Sequence, residues 1–68
     1  MDTYYVNKNS LPNGDHEVHR HSCEILPDEK ALEYLGEYST CQEAIKKAKK
    51  LYLSVDGCAF CCRTCHKG

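Results

Sequence analysis

The cysteine content constrains the fold of this chain more than any other feature of its sequence. Six of the 68 residues are cysteine, and four of them fall in the segment CAFCCRTC at positions 58–65. A chain of this length buries only a small core, and domains of this size often owe part of their stability to a metal, a disulfide or a partner subunit. The sequence therefore predicts that the sulfur atoms contribute to the fold.

The charge of the chain argues against a nucleic-acid-binding protein. The formal net charge is −1, whereas nucleic-acid binding usually requires a strongly basic face. Four lysines, at positions 46, 47, 49 and 50, are clustered, and we interpret them as the solvated face of a helix. Weak nucleic-acid binding through the Lys46–Lys50 face is an alternative function, which predicts a steep dependence on salt concentration.

The N-terminal residues contain no pattern typical of secretion. The segment MDTYYVNKNS has no basic stretch followed by an apolar one, and no apolar run approaches the length of a membrane span. We therefore expect a cytoplasmic protein that does not enter a membrane. The cytosol keeps most thiols reduced, which weakens the interpretation of six cysteines as three disulfides. A leader preceding these residues would reverse that inference.

The order of sequence patterns predicts a single α+β domain over residues 1–68. Strands are expected at about 3–8, 15–21 and 32–38, with the first two joined as a hairpin by the turn at Asn13-Gly14. The predicted architecture is a three-stranded antiparallel sheet packed by one long helix, followed by a short C-terminal helix that carries cysteines.

The long helix is predicted at residues 40–53. Ser39 or Thr40 can cap it, with Gln42 or Glu43 completing a capping box, and apolar residues recur at helical spacing from Cys41 onward. The short helix is predicted at residues 57–65. Helical spacing would place all four cysteines of that segment on one face, which is also how a small apolar packing face is built.

A zinc site is the first chemical hypothesis. Zinc prefers four tetrahedral Cys or His ligands, and four side chains from the same helical turns cannot surround it. The C-terminal cysteines would therefore need Cys23, Cys41 or a histidine of the predicted hairpin to complete a site. The candidate ligands are Cys23, Cys41, Cys58, Cys61, Cys65, His16, His19 and His66.

Three other roles for the cysteines remain open. Cys23 and Cys41 are natural disulfide partners for the C-terminal segment, but the sequence cannot choose the pairing. Cys58 has the position of a reactive cysteine near a helix N-terminus, although the neighbouring Asp56 opposes a thiolate. The cysteines can also be reduced core residues. No catalytic motif is present, and we expect a protein that is not an enzyme.

The segments YYVN, NGDHEVHRHSC, YLGEYSTCQEAIKKAK and DGCAFCCRTCH together resemble an uncharacterised family of small bacterial proteins over nearly the full chain. The family pattern includes all the candidate ligands named above and omits Cys62. The resemblance implies one compact domain and no particular activity. The segment YLGEYSTCQEAIKKAK is also similar to the junction of the last strand and the helix in plant AP2 domains, without their DNA-reading residues.

The sequence thus predicts a non-enzymatic module with a Cys/His site that binds a metal, with zinc as the candidate, or responds to redox conditions. The rival hypothesis is a protein-interaction domain in which the cysteines are only core residues, with a protein as its partner.

Overall fold

A computed structural model describes residues 1–67 of the chain. These residues form an α+β fold, which confirms the predicted class, built on one sheet of four strands in the order β3-β1-β2-β4. The strands are β1 (Asp2–Asn7), β2 (His16–Arg20), β3 (Leu32–Tyr38) and β4 (Val55–Gly57), the helix is α1 (Cys41–Ala48), and single 3-10 turns occupy Glu29–Ala31 and Arg63–Cys65.

Strands β1 and β2 form the predicted antiparallel hairpin. Gly14 has a φ of +93°, which glycine adopts without strain, and the Asn13 side chain accepts a hydrogen bond of 2.9 Å from the backbone N–H of Asp15. This turn fixes a register in which Val6 lies opposite Val18. Both valines are fully buried, so the hairpin contributes one face to the core and places the end of β2 against it.

Strand β3 pairs antiparallel with the other edge of β1, a strand order that the sequence left open. The register shifts by one residue near Tyr4, and Gly36 there has a φ of +133°. A Cβ atom at Gly36 would also lie 3.0 Å from the Tyr38 hydroxyl. Glycine is therefore required at this irregularity, which turns Leu35 into the core.

The prediction of a sheet with three antiparallel strands was wrong, because a fourth strand is present. Strand β4 runs parallel to β2 and places Glu17 beside Asp56. Parallel neighbours need a long crossover, which β3 and α1 supply. The backbone N–H of Cys58 also bonds to the carbonyl of Val18 at 2.9 Å. These sheet hydrogen bonds replace the start of the helix predicted at 57–65, of which only the 3-10 turn remains.

Helix α1 is shorter than the helix predicted at 40–53. Its start agrees with the sequence, since the Thr40 side chain accepts a hydrogen bond from the backbone N–H of Glu43 at 3.4 Å. Beyond Ala48 the backbone N–H groups of Lys50 and Leu51 bond to carbonyls three residues back, which tightens the last turn. Leu51 is exposed rather than buried, because the chain turns there to enter β4.

The core lies between the sheet and α1. Its buried apolar residues are Tyr4, Val6, Val18, Leu35, Ala44, Ala48 and Val55, together with Cys41, Cys58, Cys61 and Cys62. Cysteine therefore supplies a large share of the core, where it behaves as a small apolar residue. Within residues 1–67, no helix has both the length and the apolar character needed to cross a membrane.

The segment after β4 folds back onto the strand at Gly57. A Cβ atom at this position would lie 2.7 Å from the Cβ of Cys65 and 2.9 Å from the carbonyl oxygen of Cys62. Real Cβ atoms do not approach other atoms so closely, so only glycine fits. This close approach packs the 3-10 turn, which ends at Cys65, against β4.

Candidate metal centre

Four side chains form a compact Cys/His cluster at one end of the sheet. Their ligand atoms, from His19, Cys23, Cys58 and Cys61, all lie within 4.8 Å of one another. The Sγ atoms of Cys23 and Cys58 are 3.8 Å apart, and His19 Nδ1 lies 3.7 Å from the first of them and 3.9 Å from Cys61 Sγ. Three sulfurs and one imidazole nitrogen are a donor set that zinc prefers.

Two of these side chains come from the end of β2 and the turn that follows it. His19 is the fourth residue of the strand, and the backbone N–H of Cys23 bonds to the carbonyl of Arg20 at 3.0 Å. This tight turn folds Cys23 back toward His19. The end of β2 and the following turn therefore supply two candidate ligands, His19 and Cys23, which lie four residues apart in the sequence.

The other two side chains come from the loop after β4. The backbone N–H of Cys62 bonds to the carbonyl of Cys58 at 2.9 Å, so the intervening residues form one tight turn. Cys58 and Cys61 lie at its two ends with both sulfurs on one side. The Cys-x-x-Cys spacing thus forms a knuckle because the loop turns sharply, and Phe60 at its tip is 70% exposed.

Backbone N–H groups point at two of the sulfurs. The N–H of Arg20 donates to Cys61 Sγ at 3.2 Å, and the N–H of Phe60 donates to Cys58 Sγ at 3.4 Å. A thiolate is a stronger hydrogen-bond acceptor than a thiol, because charge-assisted bonds are the stronger ones. The backbone is therefore already arranged to support the charged form that binds a metal.

His19 is buried to 1% exposure, and burial lowers the pKa of its imidazole. A neutral ring is the form that ligates a metal. Its Nδ1 faces the sulfurs, while its buried Nε2 lies 3.4 Å from Glu17 Oε1 and makes no hydrogen bond within residues 1–67. Histidine ligands commonly direct the other ring nitrogen at a carboxylate, which is the role that Glu17 is placed to fill.

Cys23 is the most exposed member of the cluster. Burial, together with a hydrogen bond from its side chain to Cys61, raises the pKa of the Cys23 thiol. A metal that binds here must therefore displace a proton from this sulfur, and metal binding in such sites is coupled to proton release.

Two of the predicted ligands are elsewhere, joined in a disulfide. Cys41 at the start of α1 is bonded to Cys65 in the 3-10 turn, 24 residues later. Neither sulfur belongs to the cluster. The structure thus combines one disulfide with four free cysteines, and the disulfide pairing is one of those the sequence left open.

The two remaining predicted ligands have structural contacts instead. His16 stacks on Tyr52 with ring centroids 3.8 Å apart, and its Nδ1 lies 2.9 Å from the carbonyl oxygen of Asn7. His66 places its Nδ1 3.0 Å from the carbonyl oxygen of Gly57 and 3.4 Å from Asp56 Oδ2. The His16 ring therefore packs against Tyr52, and the His66 ring attaches the C-terminal segment to β4.

Cys62 is buried beside the cluster without belonging to it. Its Sγ lies 3.9 Å from that of Cys61, and burial, reinforced by the neighbouring Cys61 charge, raises the pKa of Cys62 to about 12. It therefore stays a neutral thiol and fills core space.

Glu17 is the residue whose role the sequence did not reveal. It lies on β2, and its side chain is 19% exposed. Residues two apart on a strand share a face, so Glu17 and His19 were candidates for a pair. Nothing in the sequence showed that the loop after β4 brings Cys61 against His19.

Comparison of the chain with protein-family models, curated proteins and solved structures gives no match, so the site rests on its own geometry.

Proposed function

We propose that this chain is a small zinc-binding module, not an enzyme, in which a Cys3His zinc site stabilises the fold. The ligands are His19 through Nδ1, Cys23, Cys58 and Cys61. The observation that carries the proposal is the size of the cluster. A tetrahedral zinc ion about 2.3 Å from each sulfur separates two sulfurs by about 3.8 Å, the distance found between Cys23 and Cys58.

The chemistry around the ligands supports zinc rather than a hard cation. Sulfur and imidazole are poor ligands for calcium and magnesium, which take oxygen donors. The two N–H groups that donate to Cys58 and Cys61 support bound thiolates, and Glu17 lies beside the free nitrogen of His19. Each is a feature of the outer shell that orients metal ligands.

The closed donor set favours a structural metal. Catalytic zinc sites keep one coordination position for water or substrate, whereas four protein ligands fill the tetrahedron. Here His19, Cys58 and Cys61 are buried, and only Cys23 is partly exposed. Such a metal would hold the end of β2 to the loop after β4, two segments about 40 residues apart in sequence.

The direct test is native mass spectrometry combined with elemental analysis of protein purified without chelator. We expect one zinc per chain, and we expect Cys58→Ser to abolish it. Cobalt substitution should give visible absorption typical of tetrahedral thiolate coordination.

Cys62→Ala is the matched control, because Cys62 is as buried as Cys58 and lies outside the ligand set. It should retain one zinc per chain. A metal-free protein with four free thiols would support the rival hypothesis, in which the cysteines are only core residues. A mass corresponding to a second disulfide would likewise contradict a zinc site, since the sulfurs of Cys23 and Cys58 are close enough, at 3.8 Å, to pair after a small movement.

A further inference from the structure

We propose that the Cys41–Cys65 disulfide is a modification site, at which a small thiol carrying carboxylates attacks Cys65 and forms a mixed disulfide with it. This inference is separate from the zinc site, because neither sulfur belongs to the cluster. Three observations carry it: the different exposure of the two cysteines, the position of Cys41 on the helix, and the charge of the groove beside Cys65.

The two cysteines of the disulfide line different grooves. Cys65 is partly exposed and lines a groove of about 360 Å³ between α1 and the C-terminal segment. Cys41 is only 8% exposed and lines a separate groove beside Tyr4 and Arg20. Thiol–disulfide exchange requires a thiolate to reach one sulfur. Access therefore favours attack on Cys65.

Cys41 is the better leaving group. It is the first residue of α1, where unpaired backbone N–H groups and the helix dipole stabilise a thiolate. The Thr64 hydroxyl lies 3.2 Å from Cys41 Sγ and can donate to the sulfur once it is charged. The Gln42 side-chain oxygen, at 3.6 Å, opposes the charge until the amide rotates to present its NH2 group.

The groove beside Cys65 is suited to an anion. Lys46, Lys49 and Lys67 line it, and among residues 1–67 no carboxylate does. The nearest acidic group behind His66 is Asp56, whose carboxylate is buried and already accepts the backbone N–H groups of Gly57 and Lys67. A thiol that carries carboxylates is therefore attracted to this side of the disulfide.

The exchange balances without any further reagent. A thiolate RS⁻ forms a bond to Cys65 Sγ while the bond between the two protein sulfurs breaks, and the electron pair leaves on Cys41 Sγ. A second RS⁻ then attacks the mixed disulfide and releases Cys65 as a thiolate. The protein disulfide is reduced, and two RS⁻ are oxidised to RS–SR.

The test uses the oxidised 68-residue chain, purified without chelator, with reduced glutathione as the probe. After acid quenching and alkylation with N-ethylmaleimide, trypsin separates the relevant cysteines into peptides 21–30, 31–46, 51–63 and 64–67. We expect glutathione on peptide 64–67, which carries Cys65, and maleimide on Cys41 in peptide 31–46. Glutathione on Cys41, or a disulfide that survives excess thiol, would overturn the proposal.

A matched pair of charge variants tests the groove. Lys49→Gln with Lys67→Gln removes two charges beside Cys65, whereas Lys47→Gln with Lys50→Gln removes two from another groove along α1. At low salt the first pair should slow glutathione attack by about threefold or more, the second pair should not, and neither should change the rate with neutral 2-mercaptoethanol. Equal slowing by both pairs would refute recognition by the groove.

The same peptides separate this proposal from the zinc site. If the chain binds no zinc, a pulse of N-ethylmaleimide on the native protein in the absence of glutathione should alkylate cysteines in peptides 21–30 and 51–63, which carry the cluster cysteines. That result would refute the zinc site and leave the assignment on peptide 64–67 to be judged independently.

Discussion

The segment from Cys58 to Cys65 contributes to two sulfur systems, the Cys/His cluster and the Cys41–Cys65 disulfide. The surroundings of the two systems differ. Cys58 and Cys61 are buried, accept backbone N–H groups and face a histidine. Four residues beyond Cys61, Cys65 is partly exposed, bonded to Cys41 and bordered by lysines. The same side chain thus serves two purposes within eight positions, and its surroundings rather than its local sequence decide which.

The comparison also separates what each system holds together. The cluster joins the hairpin to the loop after β4, whereas the disulfide joins α1 to the 3-10 turn. Gly57 lies between them, since its lack of a side chain lets Cys65 approach β4. The two systems therefore constrain different ends of one segment and can be broken one at a time.

Removal of the proposed zinc ion should have the largest effect. Structural zinc contributes about 10–16 kcal/mol of apparent binding free energy, whereas a chain of this length typically has about 3–10 kcal/mol of total stability. Chelation with the disulfide intact should therefore unfold the sheet, measured as loss of amide-exchange protection in β2 and β4. Protection unchanged by a chelator that demonstrably removes the metal would contradict the structural role.

Removal of the disulfide should have a smaller and more local effect. The double substitution Cys41→Ala and Cys65→Ala opens a loop whose ends are 24 residues apart, for which the chain-entropy relation gives about 3.5 kcal/mol. Chemical denaturation should show this loss, while the zinc content stays at one per chain. Loss of zinc from the double variant would show that the two systems are not separable.

Glu17→Gln should have the smallest effect on the stability of the fold, and its main effect should be a weaker affinity for the metal. Outer-shell substitutions at such sites weaken metal affinity about 10–100-fold, and we expect the lower end because Gln can still accept a hydrogen bond from His19. Competition with a chromophoric chelator measures the change. Glu33→Gln is the control, since Glu33 accepts the Tyr52 hydroxyl away from the cluster. Equal weakening in both variants would refute a positioning role for Glu17.

Local sequence predicted the elements that depend on local interactions. The turn at Asn13-Gly14, the three antiparallel strands and the Thr40 cap are all present in the structure. The turn and the cap each rest on residues a few positions apart, and each strand is recognisable from the composition of its own segment. The predicted site residues included all four members of the cluster, since cysteine and histidine are the residue types that bind zinc.

The helix predicted at 57–65 and the predicted length of α1 were wrong, and both errors share one physical cause. Residues 55–58 have a sequence compatible with the start of a helix, but their backbone groups bond to β2, about 40 residues earlier. The same pairing ends α1 early, because the chain must turn after Ala48 to reach the sheet. Long-range pairing of this kind overrides local propensity, and spacing alone does not reveal it.

The sequence by itself determined that this small chain depends on its sulfur atoms, and that those near the C-terminus need partners from elsewhere. Only the tertiary structure decided which partners they have. Parallel pairing of β4 with β2 carries Cys58 and Cys61 to His19 and Cys23, and the close approach at Gly57 leaves Cys65 beside Cys41. Ligand geometry and disulfide pairing both depend on distances of a few ångströms, which only the folded backbone sets.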